Sequence, residues 1–455
     1  MLNDCIAAVS TATGTAGIAI VRISGSDAVS VANKIFKSKD LSKLKSHSIT
    51  YGNIEHNGKI VDECLLMYMK APKTYTREDI IEINCHGGMK SVQNVLEAVL
   101  QNGARLAEAG EFTKRAFLNG RIDLSQAEAV IDLINAKTDL SLQQAIHQLD
   151  GNLSTVVKGI REKLISIIAH IEAAIDYPEN DIEELTNQKI EIETKNLIQE
   201  LENLINSFEM GKILREGVET VILGKPNVGK SSLLNLLLKE ERAIVTDIAG
   251  TTRDVLQEYV NIHDIPIKIV DTAGIRETAD VIEKIGVDKS RAYAKKADLI
   301  LLLFDAFSEL SQEDIEILEF VKEKKVIAII NKTDLGISLD KNKILEYINE
   351  QNLIEFSVKN KIGLEDFYSR LKEIFFQGEI HIGNESLITN VRHKNLLVQS
   401  VESLRNVLAS LQDDMSADFF SIDLQQAYNF LGELTGEVID EDIVNKIFSE
   451  FCLGK

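Results

Sequence analysis

Three patterns of apolar and polar residues succeed one another along the chain. Over the first 120 residues, short apolar runs alternate with short helical spacings. Ile18–Ile23 predicts a strand, Asp27–Phe36 a helix entered at Ser26 and Asp27, and Ser48–His56 with Lys59–Met69 a hairpin around Asn57-Gly58, a dipeptide that accepts positive φ at both turn positions. Ile80–Asn84 and Ala104–Ala107 add strands, and Met89–Leu100 a helix that Gly103 closes. These elements predict one mixed α/β domain. From Leu124 to about Met210 the apolar period lengthens to that of a helix, as in Ala127, Val130, Ile131, Ile134 and again in Leu164, Ile167, Ile168, Ile171, Ile175. Long packing helices follow from it, broken at Pro178 and the acidic Glu179–Glu184, with a further helix through Ile190–Phe208 to Gly211. The same style returns after Gly378, in Leu387–Leu411, Phe419–Leu431 and Asp440–Phe451.

Between the two helical stretches the pattern is different. Apolar strands at Thr220–Leu223, Gln257–Ile262, Ile267–Asp271, Leu299–Phe304, Val326–Asn331 and Leu353–Ser357 alternate with helical runs, which predicts a doubly wound, six-stranded sheet. One helical style on both flanks makes this a domain inserted into a helical one, which a chain tolerates when the insert's termini lie close together. The expected segments are therefore an α/β domain over 1–120, a helical domain over 121–211 and 378–455, and the α/β insert over 212–377.

Composition narrows the setting. A chain of 455 residues is expected to form two to four domains. Its four cysteines, Cys5, Cys64, Cys85 and Cys452, form no Cys-x-x-Cys pair, so neither a disulfide framework nor a zinc site is indicated. No leader pattern opens the chain and Leu299–Phe304 is too short to span a bilayer, so a soluble cytoplasmic protein is expected. The net charge of −21 argues against broad nucleic-acid binding and requires any RNA contact to be local or shared with a partner. After Gln412 ten acidic residues face Lys446 and Lys455, an excess of eight, which reads either as a solvated helix face or as an acidic docking surface.

The chemistry sits at the strand ends of the insert. Gly224-Lys225-Pro226-Asn227-Val228-Gly229-Lys230-Ser231-Ser232 lies between an apolar strand and a helical run, the order that makes a P-loop. Inward backbone N–H groups, a helix N-terminus and Lys230 serve phosphates, and the Ser231 hydroxyl serves Mg²⁺. Asp271-Thr272-Ala273-Gly274 places a carboxylate for Mg²⁺ and an N–H for the γ-phosphate. Asn331-Lys332-Thr333-Asp334 follows another strand, and the Asp334 carboxylate matches the two donors of guanine that adenine lacks. An unpaired buried carboxylate is costly, so discrimination of about several powers of ten follows. Ser357-Val358-Lys359 backs the base. Together these predict a GTP site. Ile275 stands where Ras-like enzymes carry the water-orienting glutamine, so another group must act. The loop Thr246-Asp247-Ile248-Ala249-Gly250-Thr251-Thr252 offers a second Mg²⁺ hydroxyl and several carbonyls, and with Asn227 a place for a monovalent cation against the phosphates.

Over nearly its whole length the chain resembles the MnmE (TrmE) family of tRNA modification GTPases. The resemblance rests on Arg22-Ile23-Ser24-Gly25, on Glu82 through His86-Gly87-Gly88, on the run Gly110 to Gly120, on Ser125 to Ala129, on Asp247 to Asp254, and on the terminal Phe451-Cys452-Leu453-Gly454-Lys455. It implies a potassium-dependent GTPase that forms the (carboxymethyl)aminomethyl group at C5 of wobble uridine in tRNA. A 5-formyl or 5,10-methylene tetrahydrofolate would donate the carbon, and FAD would reside on a partner subunit, MnmG (GidA), in a heterotetramer built on a homodimer of residues 1–120. By the same resemblance, K⁺ is held by Asn227 with carbonyls of Thr246, Ile248 and Thr251, and Mg²⁺ by Ser231 and Thr252. Glu283 organises the attacking water, or is a solvated helix charge. Arg22, Glu82, Arg121 and Lys455 fall at the folate site, where the first three also read as surface ion pairs. Cys452 reads equally as a nucleophile or a small terminal hydrophobe. The chain departs from the family at Ala12 (usually proline), Arg121 (commonly lysine) and Leu453 (usually isoleucine). A regulatory or ribosome-assembly GTPase, and a folate-dependent transferase with a merely structural nucleotide domain, are the other readings.

Overall fold

The computed structural model describes residues 4–12, 14–176, 183–240, 258–270, 293–376, 387–413 and 415–455. The chain forms two compact units, one from residues 1–134, 148–198 and 396–455, the other from 135–147 and 199–395. No helix among the described residues is long and apolar enough to cross a membrane.

The N-terminal stretch of the first unit runs β1 (Ile6–Val9), β2 (Ile18–Ser24), α1 (Ala28–Ile35), β3 (Ser48–His56), β4 (Lys59–Met69), β5 (Ile80–His86), α2 (Met89–Gln101), β6 (Arg105–Leu106), α3 (Glu111–Leu118) and α4 (Leu124–Asn135). Its six strands are ordered β3-β4-β5-β2-β1-β6, antiparallel except where β6 joins β1. The hairpin turns where expected, with φ of 51° at Asn57 and 74° at Gly58. Strict alternation divides the two faces of the sheet. Val21, Ile23, Leu66, Ile81 and Ile83 point inward and are buried against Val31 and Ile35 of α1 and Val95 and Val99 of α2. The intervening Arg22, Glu82, Asn84 and His86 share the opposite face. Strand β1, only four residues long, carries too little pattern to be predicted from sequence.

Helices α5 (Asp139–Leu149), α6 (Asn152–Asp176), α7 (Glu183–Asn206) and α8 (Phe208–Glu216) follow. The single helix expected through Phe208 to Gly211 is two. Ser207 separates them, its hydroxyl donating to Leu204 O at 2.7 Å and accepting from Ile388 N at 3.0 Å.

The second unit carries β7 (Val218–Leu223), α9 (Lys230–Glu240), β8 (Glu258–Ile262), β9 (Ile265–Ile269), β10 (Leu299–Asp305), α10 (Gln312–Val321), β11 (Val326–Asn331), α11 (Lys341–Leu345), β12 (Leu353–Glu355) and α12 (Leu364–Phe376). Six strands form the sheet, as expected, in the order β12-β11-β10-β7-β9-β8, parallel except for the edge strand β8. Strand β11 and nearly all of β10 are buried, because apolar clusters cover both faces. The C-terminal ends of β7, β10 and β11 therefore open at one edge, where doubly wound sheets bind ligands.

Helix α13 (Val391–Gln412), of the first unit from Leu396 onward, is followed there by α14 (Ala417–Thr435) and α15 (Glu441–Ser449). Helix α13 starts at Val391 rather than at Leu387, because the Asn390 side chain accepts from Arg392 N at 2.9 Å and caps it there. Helix α6 packs along α14, with Arg161 paired to Glu437 and lying 4.1 Å over the Tyr428 ring. Val444 and Phe448 of α15 and Phe451 beyond it seat on Leu124 and Ala127 of α4.

Candidate active site

The P-loop joins β7 to α9, and its backbone needs glycine at two points. Gly224 has φ +143° and Gly229 φ +105°, and a Cβ on them would lie 2.5 Å from Leu303 O and 2.2 Å from Asn331 Nδ2. Asn227, also left-handed at φ 64°, presents an exposed side chain. Lys230 opens α9 and donates to Gly224 O at 2.7 Å and Lys225 O at 2.8 Å, so its ammonium is held across the mouth of the loop. Ser231 and Ser232 follow it in the first turn.

Asn331 clips this loop to the guanine-motif segments. Buried at 2 % exposure, it donates to Val228 O at 2.8 Å and accepts from Val358 N at 3.2 Å. Lys332, left-handed at φ 67°, reaches Asn227 O at 2.7 Å and Asp305 Oδ2 at 2.6 Å. Thr333 ties back to Phe356 O through both N–H and hydroxyl. Asp334 is exposed, and its Oδ1 accepts the Ser357 hydroxyl at 2.7 Å, which fixes the carboxylate at the surface. Strand ends far apart in sequence are thus brought to one edge. Asp305 and Asp314 were not singled out from sequence. Asp314 pairs with Lys225. Partial burial would push the Asp305 carboxyl up, but the hydrogen bond and charge of Lys332 together with the Phe307 N–H outweigh it and hold the acid below its ordinary range. The position of Asp305 at the end of a buried parallel strand was the available signal.

Thr246, Asp247, Ile248, Ala249, Gly250, Thr251, Thr252, Asp271, Thr272, Ala273, Gly274, Ile275 and Glu283 lie outside the described residues.

A second cluster forms in the first unit. Arg22 and Glu82 are cross-strand partners on β2 and β5, with Nε to Oε1 2.8 Å. The Arg22 guanidinium stands 5.6 Å over the Phe112 ring and donates to Gly454 O at 3.3 Å. The chain end reaches this place through main-chain bonds from Gly110 N to Cys452 O at 3.4 Å and from Phe112 N to Lys455 O at 3.2 Å, with a bridge between Ala109 and Leu453. Gly454 is again required, since a Cβ would lie 2.2 Å from Val9 O. Arg121 lies 4.7 Å from the Tyr75 ring and donates to Tyr75 O at 3.0 Å. Burial lifts the Tyr75 phenol above its ordinary value, against the pull of Thr113, Arg121 and Arg22. Tyr75, Phe112 and Thr113 were missed as site residues; the Gly110 to Gly120 motif held two of them. Cys452 is exposed. Burial pushes the other thiols up, Cys5 and Cys64 to about 12 and Cys85 to about 11.

Two family models cover almost all of the chain. One, described as the GTP-binding protein TrmE N-terminus, matches residues 5–121, and the other, the MnmE helical domain, matches 124–452. The chain is 50% identical over 456 residues to the tRNA modification GTPase MnmE of Acetivibrio thermocellus, covering 100% of this chain and 99% of that one. It is also 50% identical over 457 residues to that of Clostridioides difficile, covering both completely. The chain belongs to the MnmE family of tRNA modification GTPases. Solved structures with local likeness include Aquifex aeolicus Era bound to GDP and AlF4⁻ (28% identity, TM-score 0.26, 41% of this chain and 66% of that one) and the T. maritima FeoB G domain (24%, 0.26, 34% and 97%). For this MnmE-family GTPase the Ras-like fold, the P-loop and the guanine motif coincide in the second unit, and the Arg22 cluster stands in the first.

Proposed function

We propose that the chain is a potassium-activated GTP hydrolase that, with the flavin-dependent subunit MnmG, adds the (carboxymethyl)aminomethyl group at C5 of wobble uridine in tRNA. The observation that carries this reading is the pair of sites: a guanine-nucleotide cradle clipped by Asn331, and a separate cluster with the chemistry to hold a folate. Lys230 and the α9 N-terminus bind the phosphates, Asp334 selects the base, and Ser231 with Thr252 holds Mg²⁺. Asn227 with the carbonyls of Thr246, Ile248 and Thr251 holds K⁺, whose positive charge offsets what builds on the phosphates as water attacks, with Glu283 orienting that water.

The residues of the second cluster fit a tetrahydrofolate. Glu82 is an acceptor for pterin N–H groups, Tyr75 and Phe112 supply ring faces, and Arg22, Arg121 and Lys455 supply cations for carboxylates. The folate supplies a one-carbon unit, and Cys452 is the exposed thiol of the chain end held there. Homodimerisation of the 1–120 domain finds support in its open sheet face, where Ile18, Ile49, Tyr51 and Leu65 are 47–63 % exposed. The four-segment organisation with boundaries near 120, 211 and 377 belongs to the same reading.

Steady-state GTP hydrolysis in potassium and in sodium at equal ionic strength tests it. Turnover should be fast only in potassium and should fall steeply in Glu283→Ala while GTP still binds. Equal turnover in both salts, alone and with the partner subunit, would remove the cation from the mechanism.

A further inference from the structure

In a chain of net charge −21, the segment that leaves α1 and enters β3 is basic. Residues 34–47 carry Lys34, Lys37, Lys39, Lys43 and Lys45 against one acid, Asp40, and all five lysines are exposed. Lys34 donates to Asn102 O at 2.8 Å, and Lys43 lies 3.5 Å from Asp40. Lys37, Lys39 and Lys45 pair with no carboxylate among the described residues. The segment is nonetheless a built turn. Leu41 is fully buried, its N–H donates to Asn33 Oδ1 at 2.8 Å, and Asp40 caps Ser42 through both N–H and hydroxyl. These hydrogen bonds hold the Asp40 carboxyl below its ordinary range. Asp40 stays ionised and lies nearest Lys43, so a single carboxylate stands against five ammonium groups in this segment.

Beside the turn, along α1, runs an open groove of about 600 Å³ lined by Val29 and by the polar Ser26, Ser30, Asn33, Lys34, Lys37 and Ser42. Its hydroxyls, amide and ammonium groups can bond phosphate and ribose oxygens, with Val29 as the apolar part of the lining. It lies on the helix-covered side of the sheet, whereas Arg22 and Glu82 lie on the open side.

We propose that this turn and groove bind the sugar-phosphate backbone of tRNA, with Lys37, Lys39 and Lys45 neutralising phosphates and the serine hydroxyls bonding phosphate or 2′-hydroxyl oxygens. The inference rests on tRNA as the substrate. Backbone contacts carry no sequence information, so the patch orients tRNA and leaves choice of the wobble base to other parts of the complex.

The test is binding of a transcribed tRNA to the full-length protein over a range of KCl concentrations, comparing wild type with Lys37→Glu/Lys39→Glu/Lys45→Glu. Loss of three phosphate contacts should reduce the slope of log affinity against log salt by about two to three and weaken low-salt binding by about tenfold or more. GTP hydrolysis should be unchanged. The corresponding Lys→Gln variant should show a smaller change of the same sign. Reversing Lys158, Lys189 and Lys322, which are exposed elsewhere, should leave affinity near wild type. Unchanged affinity and slope in the first variant would overturn the proposal, as would an equal loss in the control. Loss of partner-subunit binding with tRNA affinity intact would assign the patch to an acidic protein surface instead. A wild-type protein that binds no tRNA, alone or with its partner, would overturn the substrate reading itself.

Discussion

The two units each contain a six-stranded sheet, yet they build their sites in opposite ways. In the second unit the sheet is parallel except at its edge strand β8 and covered on both faces, so the candidate ligand groups cluster where the strands end, most of them from short contiguous motifs. Much of the P-loop's work is done by backbone, which Gly224 and Gly229 at their fixed spacing specify locally. In the first unit the sheet is antiparallel with one open face, and the cluster draws on Arg22, Tyr75, Glu82, Phe112, Arg121 and the last four residues. Arg22 and Gly454 are 432 positions apart. No local pattern marks such a site. A nucleotide cradle made of main chain is legible in sequence, whereas a pocket made of side chains from distant segments exists only after folding.

The sharpest way to break this contrast is at the base. Asp334→Asn should lower GTP affinity by about two to three powers of ten and transfer preference to xanthine nucleotides, with thermal stability near wild type, because the carboxylate is exposed and, among the described residues, bonded by Ser357 alone. Unchanged affinity by nucleotide titration would remove Asp334 from recognition.

The next effect belongs to the first unit. Arg115, 1 % exposed, bonds Asp4, Glu78 and Glu111 and so ties the start of β1, the loop before β5 and α3 together beneath the docked chain end. Arg115→Met should cost about 3 kcal/mol in denaturant unfolding, because it takes a buried guanidinium from the buried Glu111, which keeps Arg105, and from the more exposed Glu78 and Asp4. Nucleotide affinity should be kept. An equal loss of GTP binding would show that the two sites are not separately built.

Gly229→Ala probes the nucleotide cradle at its backbone. The left-handed φ and the 2.2 Å approach to Asn331 require strain of about 1–3 kcal/mol, equivalent to about a ten- to hundredfold loss of GTP affinity. Folate binding should not change.

The smallest effect is a titration on the open face of the first sheet. His86, exposed, bonds Asp62 at 2.7 Å, and this bond raises the imidazole pKa above its ordinary 6.5. Burial alone would raise the Asp62 carboxyl, but Ser91 and His86 outweigh it and hold it below 3.8. The raised His86 value contributes stability that is full below pH 6.5 and fades as pH rises through the folded value. The lowered Asp62 value contributes above pH 3.8 and fades below it. Asp62→Asn should return the His86 NMR titration toward 6.5, and an unmoved midpoint would show the pair to be uncoupled.

What the sequence determined by itself was whatever depends on short-range physics. Alternation and helical spacing set the strands of both sheets apart from β1, and most of the helices. The Asn57-Gly58 turn set the hairpin register. Gly224 to Ser232 and Asn331 to Asp334 marked the nucleotide cradle. Tertiary structure decided the rest. Ser207 divides a helical pattern because its hydroxyl bonds Ile388 N, which lies 181 positions away. Strand β1 exists because β2 pairs with it. Asp305 matters because Lys332 comes to it. Gly454 O reaches Arg22 because the main chain around it bonds the start of α3 through Cys452 O and Lys455 O, and only glycine fits at 454 against Val9. Each of these contacts closes a long loop, and local sequence carries no record of which distant partner will make that closure worth its entropy.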